Sequence, residues 1–184
     1  MIKNILTACC LFLSLVSCIT SAAELSGLYG IKFGEVKTGD AVSKDISTGD
    51  GAPAYTFKTS KYFMGFKRCY YQKTPLSNKV YRIILVREFD KNSNKKEVFE
   101  KVGSVLSHHY KKVGYHPIMT DNPMLLRYDF DCAYMILHIS MRRVGISMIP
   151  GDLLFIEATS KQYENLYEKE KVEKAVLETD TSAL

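Results

Sequence analysis

Between Pro53 and Arg87 the chain places eight basic residues and no acidic one: Lys58, Lys61, Lys67, Arg68, Lys73, Lys79, Arg82 and Arg87. Eight aromatics are interleaved with them: Tyr55, Phe57, Tyr62, Phe63, Phe66, Tyr70, Tyr71 and Tyr81. Cationic side chains beside aromatic rings can hold phosphates, acidic glycans or an acidic protein surface. The stretch therefore predicts a binding surface, with Lys67, Arg68, Tyr70, Tyr71, Lys73 and Arg82 as its candidate residues. Strand parity restrains this reading. On a strand over Tyr62–Tyr71, Arg68 and Tyr70 share one face, while Lys67, Cys69 and Tyr71 share the other. Cations that cover apolar surface with their stems, or guard sheet edges, explain the same pattern without a ligand.

Other residues with chemical potential are scattered. The histidines are His108, His109, His116 and His138. Adjacent helix residues point about 100° apart, so His108 and His109 do not form the i, i+4 pair that clamps a metal. His109 is expected on the apolar face of a helix, and no HExxH or CxxC spacing occurs. No metal site and no cofactor is expected. There is no GxSxG nucleophile elbow. Asp129 and Asp131 lie two apart, so on a strand they face one side, as paired carboxylates in glycoside hydrolysis must. They also sit where a turn is expected, and Asp favours turns for its bonds to backbone.

The N-terminus points to export. Lys3 is the one charge before Glu24, and Ile5–Val16 is an apolar run of signal-core length, too short for a transmembrane helix. Ser21-Ala22-Ala23 offers small residues for cleavage after residue 23. Leu15-Val16-Ser17-Cys18 instead resembles the lipobox of bacterial lipoproteins, which implies cleavage after residue 17 and lipidation of Cys18. The expected division is a signal over 1–23 (or 1–17), one domain over 24–178 and a frayed tail over 179–184. Roughly 160 residues then remain, enough for a sizeable core.

Cysteines and charge fit the same compartment. Outside the signal stand Cys69 and Cys132, an even pair that predicts a disulfide in an oxidising environment. Such a bridge closes a long loop and is worth about 4 kcal/mol on the chain-entropy model. Two separate buried thiols are the alternative. The whole chain has 25 basic and 20 acidic residues; without Lys3 and the eight cations of the central stretch, 16 basic residues face 20 acidic ones. Charge is thus dipolar, which, with export, argues against nucleic acid as a partner.

The elements that must position these groups follow from periodicity. Leu28, Ile31 and Phe33 between glycines suggest a short first strand, and Glu35–Ala54 a polar loop. Strands are expected near Tyr55–Lys58, Tyr62–Tyr71 and Lys79–Phe89, with a turn over Thr74–Asn78. A helix is expected over Lys95–Val113, capped by Asn94 with Glu97 and ended by Gly114. Strands are expected again over Met124–Phe130, Tyr134–Met141 and Val144–Ile149. From Asp152 the chain is open to two readings, a strand over Leu153–Ala158 or the start of a helix that in either case covers Ser160–Val176. The sum is a single α+β domain with an antiparallel sheet of about six strands and two helices, in βββα–βββα order. The layout is similar to that of small exported bacterial proteins of uncharacterised families.

These readings predict an exported, non-catalytic cell-envelope protein, periplasmic or anchored through Cys18, with secretion the alternative. Its partner would be an envelope protein, an acidic glycan or an anionic lipid. A hydrolase using His138, Asp129 or Asp131 is a second reading, and an inhibitor or immunity protein inserting Glu35–Ala54 a third.

Overall fold

A computed structural model describes residues 28, 30–44, 46, 50–59, 63–89, 92–119, 124–144 and 151–182. The expected signal with Cys18, and the strand expected over Val144–Ile149 save its first residue, lie outside the described residues. Among the described residues there are seven strands, β1 (Tyr55–Phe57), β2 (Arg68–Lys73), β3 (Val80–Glu88), β4 (Lys111–Met119), β5 (Met124–Asp131), β6 (Met135–Val144) and β7 (Gly151–Ser160), and two helices, α1 (Lys95–Ser107) between β3 and β4, and α2 (Lys161–Ser182) after β7. All strands join one antiparallel sheet in the order β1-β2-β3-β7-β6-β5-β4. The domain is α+β as expected, but the order is three strands, helix, four strands, helix.

The extra strand replaces the end of the expected long helix. Asn94 does cap α1, accepting the Glu97 N–H at 3.3 Å. The helix nevertheless stops at Ser107, and Lys111–Met119 pairs with β5 from Lys111↔Asp131 to Met119↔Met124. Val113 and Tyr115 favour the pleated conformation, and Pro117 has no N–H to give a helix. His109 is therefore exposed beyond the helix, not buried on its face. Three other expectations change. Leu28 and Ile31 form an isolated bridge and not a strand. The second strand begins at Arg68, because Met64 and Gly65 take positive φ (44° and 81°) in a turn before it. At Asp152 the strand reading holds, and α2 continues past Val176 through the expected tail to Ser182.

Strand alternation sorts the interior into two layers. On one face Ile83, Leu85, Leu137, Ile139, Leu154 and Ile156 meet Phe99 and Val102 of α1. The contact is close: a Cβ at Gly103 would lie 2.8 Å from the Tyr128 ring, which stacks on Phe99 at 4.8 Å. On the other face Tyr70, Ile84, Val86, Leu153 and Phe155 pack with Ala54 and Ile46 of the loop before β1. That loop is tied down where described. Val36 bridges to Lys79 and Val42 to Tyr55, and Tyr71 donates a hydrogen bond to Asp40.

Cys69 and Cys132 are both buried thiols of the α1 face with no bond between them. The expected bridge is thus not made. Cys69 lies on β2 and Cys132 just after β5, with β3, β7 and β6 between. Four strand spacings of about 4.8 Å put them far beyond the roughly 7 Å that a disulfide tolerates between Cα atoms.

Candidate functional site

A groove of about 390 Å³ opens where α2 crosses the end of the sheet. Its walls are built by two local devices. The first is the turn between β2 and β3. Thr74 gives its N–H to the Lys79 carbonyl (2.9 Å), its hydroxyl meets Ser77 Oγ (2.8 Å), and Asn78 adopts the left-handed conformation (φ 55°) that Asn tolerates. Lys73 is thereby fixed at one lip.

The second device seats α2. Tyr167 stacks on buried Tyr81 at 4.5 Å, and Tyr163 lies so close to Gly34 that only a residue without Cβ fits there. Buried Glu170 then accepts the N–H groups of Leu76 (2.8 Å) and Ser77 (2.9 Å) and the Ser77 hydroxyl (2.5 Å). Burial pushes the Glu170 carboxyl up, but these donors outweigh it and hold the group below the usual range. With Glu170 pinned, the face carrying Tyr167, Lys171, Lys174 and Glu178 overhangs the groove. The remaining lining is Tyr55, Ala175, the Asp50–Pro53 segment, and Thr74, Pro75 and Asn78 of the turn.

Charge in the groove is unbalanced. Asp50 accepts from Arg82 (2.8 Å), Tyr81 (3.3 Å) and the Ala52 N–H (3.1 Å), so its carboxylate is already committed. Glu178 lies 3.7 Å from Lys174. Lys73 Nζ bonds to the Lys37 carbonyl (2.9 Å) and sits 4.4 Å from the Tyr55 ring centre. Lys171 Nζ is 5.7 Å from the Tyr167 ring centre. Neither of these two ammonium groups meets a carboxylate among the described residues.

Of the six candidates from the central stretch, only Lys73 lines this groove. Lys67 is exposed elsewhere, and Arg68 pairs with Glu88 at 2.5 Å. Tyr70 and Tyr71 are each 2% exposed and belong to opposite layers of the core. Arg82 is half-buried, held by Asp50, Thr159 Oγ1 (3.0 Å) and more loosely Glu164 (3.7 Å). The cations that join Lys73 come from α2, 98 and 101 positions further on. Their signal was the i, i+4, i+7 spacing of Tyr167, Lys171 and Lys174, which reads equally well as a solvated helix face.

The residues of the hydrolase reading also meet, in a different arrangement. Asp129, His138 and Glu157 are register partners across β5, β6 and β7. His138 Nε2 contacts Glu157, Arg142 donates to Glu157 (2.9 Å) and to Ser140 Oγ (3.1 Å), and Arg127 donates to Asp129 (2.7 Å). Burial pushes the Glu157 carboxyl up, but the His138 hydrogen bond and the Arg142 charge prevail and hold it at about 2. A carboxyl held that far down is a poor proton donor near neutrality. The row is an ion-paired strip across the sheet, largely buried at His138 and Glu157 and half-buried towards Asp129. Asp131 stands apart from it, opposite Lys111 at the end of β5.

Comparisons with known proteins return no matching family model, no matching curated protein and no matching solved structure.

Proposed function

We propose that this is an exported, non-catalytic cell-envelope protein that acts by binding an anionic ligand or the acidic part of a partner. Export rests on the N-terminal sequence, with processing before Glu24 or lipidation at Cys18 as its two forms. The binding reading is carried by one observation: Lys73 and Lys171 face one groove from a strand end and from a helix, and neither meets a carboxylate among the described residues. An ammonium group held at a concave site without a counter-ion attracts an anion more strongly than one on open surface, because the groove walls limit solvent screening. On this reading the binding surface is not the whole basic stretch but Lys73 near its middle, together with α2.

Elution by salt from polyuronate and polyphosphate matrices tests this. The purified protein should be retained on at least one matrix. The double variant Lys73→Glu, Lys171→Glu should elute at clearly lower salt, with an unchanged circular dichroism spectrum. Lys67→Glu changes net charge outside the groove and serves as control. Equal elution of the groove and control variants would remove the groove from the proposal.

A further inference from the structure

Resting on that anion-binding reading, we infer that the groove takes a compact phosphate dianion, the monoester end of a soluble metabolite or of a lipid headgroup. Three observations lead there. The first is charge count. Asp50 is matched by Arg82, which also lies 3.7 Å from Glu164, and Glu178 lies beside Lys174, so Lys73 and Lys171 are the two lining cations that meet no carboxylate among the described residues. A phosphate monoester carries between one and a half and two negative charges near pH 7, with a second pKa of about 6. A single carboxylate supplies one.

The second is donor geometry. The groove offers ammonium groups and no guanidinium of its own, since Arg82 is turned onto Asp50. The planar fork of Arg matches paired oxygens of carboxylate and phosphate alike, whereas Lys acts as a point charge whose three donors reach oxygens in several directions. Ammonium groups supplied by a strand end and by a helix suit a tetrahedral group with three free oxygens.

The third is size and the rest of the lining. A space of about 390 Å³ falls within the range of small-ligand sites. Ala52, Pro53, Pro75 and Ala175 supply apolar wall beside the cations. That surface suits a short carbon skeleton attached to the phosphate.

Titration calorimetry of the full chain with inorganic phosphate, glycerol 3-phosphate and glucuronate, at constant ionic strength, tests the inference. The phosphate probes should bind one per chain and glucuronate at least about tenfold more weakly. Lys73→Gln or Lys171→Gln should each weaken the phosphate probes by about tenfold, the loss of one charge-assisted contact. Lowering pH from 7.5 to 5 should weaken phosphate more than glucuronate, because only phosphate loses its second charge over that interval. Vesicles of phosphatidylcholine with and without phosphatidic acid form a second arm. Lysine-dependent binding confined to phosphatidic acid vesicles assigns a headgroup, and binding of glycerol 3-phosphate a soluble ester. If glucuronate binds as well as phosphate and both depend on the two lysines, the phosphate assignment fails and the anion groove stands. If phosphate binds irrespective of the two lysines, or if no probe binds the folded protein, the groove reading falls too.

Discussion

Glu157 shows how one side chain's surroundings decide its role. It is a carboxylate on the central strand β7, and its side chain is 13% exposed. Left alone there it would be costly to ionise. His138 on β6 and Arg142 four residues along the same strand turn that cost around, and the carboxyl sits at about 2 against an ordinary 4.5. The sign of the consequence follows from linkage. A group whose pKa is lower in the folded state stabilises the fold above its unfolded value and loses that contribution as pH falls towards the folded one. The span of two and a half units corresponds to about 3 kcal/mol as an upper bound. Urea denaturation should therefore show Glu157→Gln less stable than wild type at pH 7, by 1 to 3 kcal/mol in order of magnitude. The gap should close between about pH 4.5 and 2; a gap independent of pH would show that charge is not the source of the effect. None of this was legible in the sequence. His138 and Asp129 were visible as candidates, but the carboxylate that His138 contacts is 19 positions away on a neighbouring strand.

At the scale of elements, starts proved easier to read than ends. Asn94 caps α1 because its side chain and the Glu97 N–H are neighbours in sequence. The end of α1 depends on the β4–β5 ladder, which forms between residues that sequence periodicity does not connect. The same contrast holds for α2. Its helical character was legible in Tyr163, Leu166 and Tyr167 with alternating charges, but its seat was not. The seat is Glu170, which bonds to residues 93 and 94 positions earlier. Beyond it every residue of α2 from Lys171 to Thr179 is exposed, so Glu170 is the last buried residue of α2 among those whose burial is described. Glu170→Ala strands two turn N–H groups without their acceptor, a cost of about 1 to 3 kcal/mol. The expected result is faster cleavage by trypsin after Lys171 and Lys174 under native conditions, with the core's melting transition lowered but still cooperative. If the helix stays as resistant as in wild type, Tyr167 on Tyr81 holds it without help. Glutamine at 170 keeps one acceptor oxygen and should give an intermediate rate.

For the whole molecule, the sheet was the most legible feature, because the near-continuous apolar run in Val80–Val86 implies a strand packed on both faces and the alternation in Met135–Met141 a strand packed mainly on one. The pairing of distant strands was not, and the cysteines show what that hides. Of five cysteines two lie outside the expected signal, and in the oxidising compartment expected for an exported chain such a pair predicts a bridge. The sheet order then separates Cys69 from Cys132 by three strands while burying both in the α1 face. Stability here comes from packing across seven strands, not from a covalent link between its halves. Burial also pushes the Cys69 thiol up, away from the reactive thiolate form. Two results should follow. Peptide mapping without reductant should recover Cys69 and Cys132 in separate unlinked peptides. Labelling by a water-soluble maleimide should be slow for both in native buffer and complete in denaturant. Because one cooperative core buries both, their labelling rates should rise together as urea increases, tracking the loss of secondary structure. A linked peptide would mean that the oxidised protein departs from this strand order. Early labelling of Cys132 alone would mean that the β5–β6 end opens independently of the β2–β3 end, and the sheet would then be two cooperative units and not one.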